Sequence, residues 1–199
     1  CEKQQADLVF LLDQSSSINQ DDYTIMKKFT TDLVNSFKVS EELVRVGLAQ
    51  FSSDDVNHEF DLNQFNSQEA VNKHILSMTQ RGGSTYIGLA LDSIRGYFEA
   101  SRGSRRSAGI SQNLVLITDG KSQDDVEDAA DHLRALGIEV FAIGIEDVHD
   151  LELLQITGTP ERVFTVNNFG SLDEVKQKVF EAICKSKLHI HDKLLQPNI

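Results

Sequence analysis

Five short runs of aliphatic and β-branched residues, ADLVFLLD, VRVGLAQF, NLVLITDG, GIEVFAIGI and RVFTV, lie along the chain with stretches of helical periodicity between them. Runs of four to eight such residues, bounded by Gly, Asp or Ser, suit strands buried on both faces. Between the first two runs Met26, Phe29, Leu33 and Phe37 recur at helical spacing, and near the end Leu172, Val175, Val179 and Ile183 do the same. Strands alternating with helices predict an α/β fold with a mostly parallel sheet. HEFDLNQF, in which Phe60 and Leu62 alternate with polar neighbours, predicts a short edge strand, reached by a tight turn after FSSDD and antiparallel to VRVGLAQF. Ser122 with Asp125, and Ser171 with Glu174, have capping-box spacing and mark helix starts. Asp124, Asp125, Glu127 and Asp128 then read as an acidic first turn.

A chain of 199 residues is long enough for one well-buried core, and its 40% hydrophobic and 25% charged residues are ordinary for a folded soluble domain. No apolar run approaches the roughly 20 residues that span a bilayer. A net charge of -12 argues against a nucleic-acid partner, which needs a concentrated cationic surface. The only local basic stretch, SRGSRRSAG with Arg102, Arg105 and Arg106, reads as a solvated loop, with a polyanion or phosphate as its alternative use. Acidity leaves divalent cations and basic partners as suitable company. No signal peptide opens the chain, so either one was removed or the chain is a fragment of a longer one.

The two cysteines, Cys1 and Cys184, stand near the ends of everything that reads as folded. That placement suggests a disulfide tying the domain's termini, with up to about 5 kcal/mol of stabilisation in the chain-entropy model, and an oxidising, extracytoplasmic setting. Two free thiols in a cytosolic protein are the alternative. From Lys185 onward the apolar period is lost and a proline stands at 197, so residues 1–184 read as the domain and 185–199 as a linker or tail.

The strand FLLD runs straight into QSSSI, presenting Asp13, Ser15 and Ser17 at alternate positions, while Ser16 alternates away from them. In an open parallel sheet, ligand sites form beyond the carboxyl ends of strands where the strand order reverses. Asp119 ends the strand NLVLITDG, and Thr85 in RGGSTYIG precedes another apolar helix, so all three segments can meet at one end of the sheet. Two carboxylates and three hydroxyls form a hard, oxygen-only set suited to Mg²⁺, Ca²⁺ or Mn²⁺ and poorly suited to zinc or copper. With hydroxyls bound directly and an aspartate through water, such an ion stays electron-poor, and a carboxylate from another molecule can complete an octahedron. Read singly, Ser15, Ser16, Ser17 and Asn19 are also explained as helix caps, Asp119-Gly120 as a turn, and Gly82 and Gly83 as either a turn or a close approach.

With these residues in hand, the chain resembles the von Willebrand factor type A family, which includes the inserted domains of integrin alpha chains. DQSSS matches the family's Asp-x-Ser-x-Ser element, Thr85 in GGSTYIG its separate threonine, and Asp119 in ITDG its later aspartate, from about Ala6 to Cys184 and in the family's order. RVGLAQ, GGxT, LITDGKSQDD and GIxxFAIG look most like the A-type domains of extracellular-matrix collagens such as types XII, XIV, VI and VII, and terminal cysteines paired across the domain look like the same branch. The resemblance implies a doubly wound sheet with helices on both faces and a metal ion-dependent adhesion site. It further implies a secreted, matrix-located module that binds matrix or cell-surface proteins as part of a multidomain chain. Gln14 departs from the glycine of many relatives, and in the integrin relatives the last helix shifts on binding.

Other functions compete with this one. A phosphotransferase or hydrolase using Asp13 as nucleophile lacks a second acidic residue at the alternate position, where Ser15 stands, and no Gly-x-x-x-x-Gly-Lys-Ser/Thr loop is present. A serine nucleophile finds no base, because His58, His74, His132 and His149 sit in polar contexts and His189 and His191 in the tail. The chain reads as a non-enzyme. The nearer rival is a structural, collagen-associated assembly domain that does not use the metal site for recognition.

Overall fold

A computed structural model of the chain describes residue 1 and residues 3–53, 56–146 and 148–185. The strands are β1 (Ala6–Asp13), β2 (Val44–Phe51), β3 (Val56–Phe60), β4 (Ser111–Thr118), β5 (Ile138–Ile145) and β6 (Val163–Val166). The α-helices are α1 (Gln20–Val34), α2 (Gln68–Ser77), α3 (Ile87–Ile94), α4 (Glu127–Ala135), α5 (Asp150–Thr157) and α6 (Asp173–Cys184). One sheet has the order β3-β2-β1-β4-β5-β6, parallel throughout except for β2 with β3. The chain therefore starts in the middle, builds outward through β2 to β3, and crosses back to build β4, β5 and β6 on the other side. The order reverses between β1 and β4, where an open parallel sheet leaves its crevice.

Alternate side chains of β1 serve two cores. Leu8, Phe10 and Leu12 share one with Met26, Phe29 and Leu33 of α1 and Val179 and Ile183 of α6. Val9 and Leu11 share the other with Leu91 and Ile94 of α3, Leu133 of α4 and Ile156 of α5. Both faces of the central strands are thus covered, which is why their sequences show no polar alternation. Each such side chain contributes about 1.5–3 kcal/mol by leaving water.

Several local expectations change in the structure. The edge strand starts earlier than HEFDLNQF and stops at Phe60, with Leu62 fully buried beyond its end; residues 54 and 55 of the turn after FSSDD lie outside the described residues. Asn19, rather than a serine, caps α1, its Oδ1 accepting from Asp22 N at 2.8 Å. Asn168 Oδ1 accepts from Ser171 N at 2.9 Å, so the cap ahead of α6 precedes Ser171. Ser122 does not cap α4: Asp125 Oδ1 accepts from Glu127 N at 3.1 Å, and Ser122 and Asp124 turn instead to α3.

The arginine-rich stretch is solvated only in part: Ser101 and residues 106–109 are exposed, but all three arginines bond to the fold. Arg105 lies at the amino end of β1, its Nε and Nη2 donating to Asp7 Oδ1 at 2.9 and 2.8 Å, and it also donates to the carbonyls of Ala6, Glu42 and Leu43. Asp7 is fully buried, and a buried carboxylate needs such a bidentate, many-donor partner. Arg102 bonds Asp61 and lies 4.3 Å over the Tyr97 ring, and Arg106 donates to Leu136 O. At the same end of the sheet Cys1 and Cys184 form a disulfide with Cα atoms 4.9 Å apart, and Lys3 pairs with buried Glu139. Of the tail, residues 186–199, with His189, His191 and Pro197, lie outside the described residues. Among the described residues no helix is long and apolar enough to cross a membrane.

Candidate metal centre

β1 and β4 run side by side with Leu12 opposite Ile117, so Asp13 and Asp119 leave the sheet as neighbours. Both oxygens of Asp13 are engaged: Oδ1 accepts from Ser15 N and Oδ2 from Thr118 Oγ1, each at 2.8 Å. Ser15 Oγ lies 3.0 Å from Ser17 Oγ, and Ser17 Oγ donates to Asp119, 2.9 Å from each carboxylate oxygen. Asp13, Ser15 and Asp119 are buried and Ser17 is exposed, so the group opens to solvent on the serine side. Asn19 performs the capping of α1, which leaves the hydroxyls of Ser15 and Ser17 to this cluster.

Thr85 arrives on a separate loop and is buried. Its neighbours fix it between the loops that follow β1, β2 and β4: Gly82 N donates to Gln14 O at 3.1 Å, Tyr86 N to Ser52 O at 3.1 Å, and Gln123 N to Thr85 O at 2.8 Å. The loop passes so close that a Cβ on Gly82 would stand 2.8 Å from Ser16 Oγ and one on Gly83 2.5 Å from Ser53 Oγ. Both glycines also have positive φ, so here the close approach and the turn are one requirement. Hydrogen bonds thus link Asp13, Ser15, Ser17 and Asp119, and the backbone brings Thr85 into the same loop cluster.

Charge is in excess at this point. Burial pushes the Asp13 carboxyl up, against the hydrogen bonds from Ser15 and Thr118 that pull it down. Asp119 is pushed up to about 6, first by burial and then by the charge of Asp13, with the Ser17 bond acting the other way. Neither carboxylate has an ion-pair partner among the described residues. Two buried carboxylates with hydroxyls beside them and no cationic side chain suit a hard divalent ion, which relieves their repulsion and accepts all-oxygen ligation. Hydroxyls, rather than further acidic groups, fill out the set, and accordingly no cluster of three or more His, Cys, Asp or Glu with metal-binding geometry occurs among the described residues.

Sequence reasoning named Ser16 and Gln14 without finding their partners, and missed Gln80. Ser16 Oγ accepts from Gly83 N at 2.8 Å, Gln14 Oε1 accepts from Arg81 N at 3.2 Å, and Gln80 Nε2 donates to Ser15 O and Ile18 O at 2.8 and 2.6 Å. For Gln14 and Ser16 the alternation was the available signal, since side chains that turn away from the odd residues of 13–17 must meet something else; for Gln80 there was none. The four described histidines stand apart: His74 pairs with Glu59, His58 stacks on Tyr97, and His132 and His149 are exposed.

A family model described as the von Willebrand factor type A domain matches residues 7–178. The collagen alpha-6(VI) chain of Mus musculus is 45% identical over 186 residues, covering 94% of this chain and 8% of that one. The collagen alpha-6(VI) chain of Homo sapiens is 44% identical over 184 residues, covering 92% of this chain and 8% of its own length. This chain therefore spans less than a tenth of the length of either collagen chain. Among solved structures, proximal thread matrix protein 1 from the mussel byssus, with a zinc-occupied MIDAS motif, aligns with a TM-score of 0.86 at 35% identity, covering 90% of this chain and 48% of that one.

Proposed function

The chain belongs to the von Willebrand factor type A domain family, and from that premise we propose that it is an extracellular-matrix adhesion module with a divalent-cation site. Asp13, Ser15, Ser17, Thr85 and Asp119 hold Mg²⁺, Mn²⁺ or Ca²⁺, and an acidic side chain of a matrix or cell-surface protein completes the site. The observation that carries this reading is the pair of buried carboxylates, each raised by burial and Asp119 also by the charge of Asp13, linked through Ser15 and Ser17 and lacking a cationic side-chain partner among the described residues. When bound, the cation supplies an electrophilic centre for a carboxylate oxygen. Asp13 is held by donors on both oxygens, which suits a fixed acceptor in a binding module. Ser17 aims Asp119 and lies at the exposed side, where a partner would approach. Residues 1–184 form the functional unit of a secreted multidomain chain, a reading supported by its share of the collagen relatives.

Calorimetric titration with Mg²⁺ and with Mn²⁺ tests this directly. Binding heat is expected for the parent and none for Asp13→Ala; no heat in the parent at millimolar metal would overturn the proposal. Capture of matrix proteins is then expected in Mg²⁺ and lost in EDTA. Capture that persists in chelator would move recognition to another surface and favour the assembly-domain alternative.

A further inference from the structure

The residues between the ligands of the Asp-x-Ser-x-Ser element have their own pattern. Odd positions 13, 15 and 17 share the candidate site, while even positions 14 and 16 face the loop that carries Thr85. Gln14 uses both its groups: its carbonyl oxygen accepts from Gly82 N at 3.1 Å, and its buried side-chain Oε1 from Arg81 N at 3.2 Å. Ser16 makes a reciprocal pair with Gly83, its N donating to Gly83 O at 2.9 Å and its Oγ accepting from Gly83 N at 2.8 Å. From the other strand of this seam Gln80 reaches back, its Nε2 donating to Ser15 O and Ile18 O, while its Oε1 accepts from Gln20 Nε2 at 3.0 Å, which fixes the orientation of its amide. Six hydrogen bonds thus cross between residues 14–18 and 80–83, and four of them depend on side chains at positions 14, 16 and 80.

The proposed ligands come from separate loops, so the distance between the hydroxyls of 15 and 17 and that of 85 is set by whatever holds those loops together. We infer that Gln14, Ser16 and Gln80 are positioning residues that lock the Thr85 loop to the Asp13–Ser17 loop before the cation arrives, so that cation affinity depends on residues that do not touch it. This rests on the proposed cation site. Pre-setting a ligand shell lowers the ordering cost of binding, and groups that orient ligands typically change metal affinity by about ten- to a hundredfold when removed. Gln14 supplies a side-chain bond that a glycine at this position could not make.

The test compares the parent with Ser16→Ala, Gln80→Ala and Gln14→Gly in the 199-residue chain, using Mn²⁺ titration by calorimetry and, in EDTA, hydrogen exchange at the amides of residues 81–83. Each variant is expected to bind Mn²⁺ roughly tenfold more weakly. Exchange in EDTA is expected to quicken at Arg81 for Gln14→Gly and at Gly83 for Ser16→Ala, while Gln14→Glu, which keeps an acceptor for Arg81 N, restores slow exchange there. Ser16→Ala removes one hydroxyl from an exposed residue and keeps the measurement available where Gln14→Gly impairs folding. Parental affinity in folded Ser16→Ala and Gln80→Ala, or exchange in EDTA unchanged in Ser16→Ala, overturns the inference with the cation site intact. A parent that binds no Mn²⁺ overturns the cation site itself, and this inference with it.

Discussion

Asp119 keeps 7% of its surface and faces Asp13 beside a shared chain of serine hydroxyls, so its ionised form loses hydration and meets a like charge. Its folded pKa of about 6 lies above the roughly 3.9 of an unfolded chain, so between those values the folded state binds more protons. Stability from this group therefore rises as pH falls through 6 and levels off near 4, the reverse of a salt-bridged aspartate. In chelator, Asp119→Asn is expected to be more stable than the parent at pH 7.5, by at most about 3 kcal/mol, and the gap to narrow steadily toward pH 4. Urea denaturation of both proteins across that range checks it; groups remote from the site cancel in the difference, while Asp13, whose charge acts on Asp119, does not. A gap independent of pH would show that the aspartate is not under charge stress.

α3 shows how an element can depend on a distant loop. Its first residues have no side-chain cap from Tyr86; Ile87 N donates to Ser122 Oγ at 3.0 Å, and Gly88 N and Leu89 N donate to the two oxygens of Asp124 at 2.8 Å each. The 122–125 loop lies so close that a Cβ on Gly88 would stand 2.0 Å from Asp125 O. Asp124→Ala is expected to cost about 1–2 kcal/mol in urea denaturation through two orphaned amides, and a change below about 0.3 kcal/mol would mean that water serves them equally well. This cap also marks the limit of what is legible in the sequence. Strand runs, helix periodicity and the odd residues of DQSSS are local patterns, and they read through to the sheet and to the grouping of Asp13, Ser15, Ser17 and Asp119. Ser122 has a capping spacing to Asp125 and yet serves Ile87, 35 residues away, and Arg105 looks solvated until Asp7, 98 residues away, is placed beside it. Bonds of that kind follow from sheet register and crossover, which no spacing rule contains.

At the scale of the molecule, the ends of the sheet have different tasks: the carboxyl end gathers the proposed ligands, and the amino end holds the Arg105–Asp7 and Lys3–Glu139 pairs and the disulfide. Replacing both cysteines by serine frees a loop with a sequence separation of 183 and is expected to cost roughly 2–5 kcal/mol, read as a lower urea midpoint; an unchanged midpoint would show that the ion pairs alone hold the ends. β1 is eight residues long, so about 25 Å separates this seam from the proposed cation site. With Cα atoms of residues 1 and 184 only 4.9 Å apart and covalently joined, a pull applied at these two residues travels through two sulfur atoms and leaves the strands slack. Load entering at these two residues would bypass the six strands, until a reductant opens the bypass and the sheet itself becomes the spring.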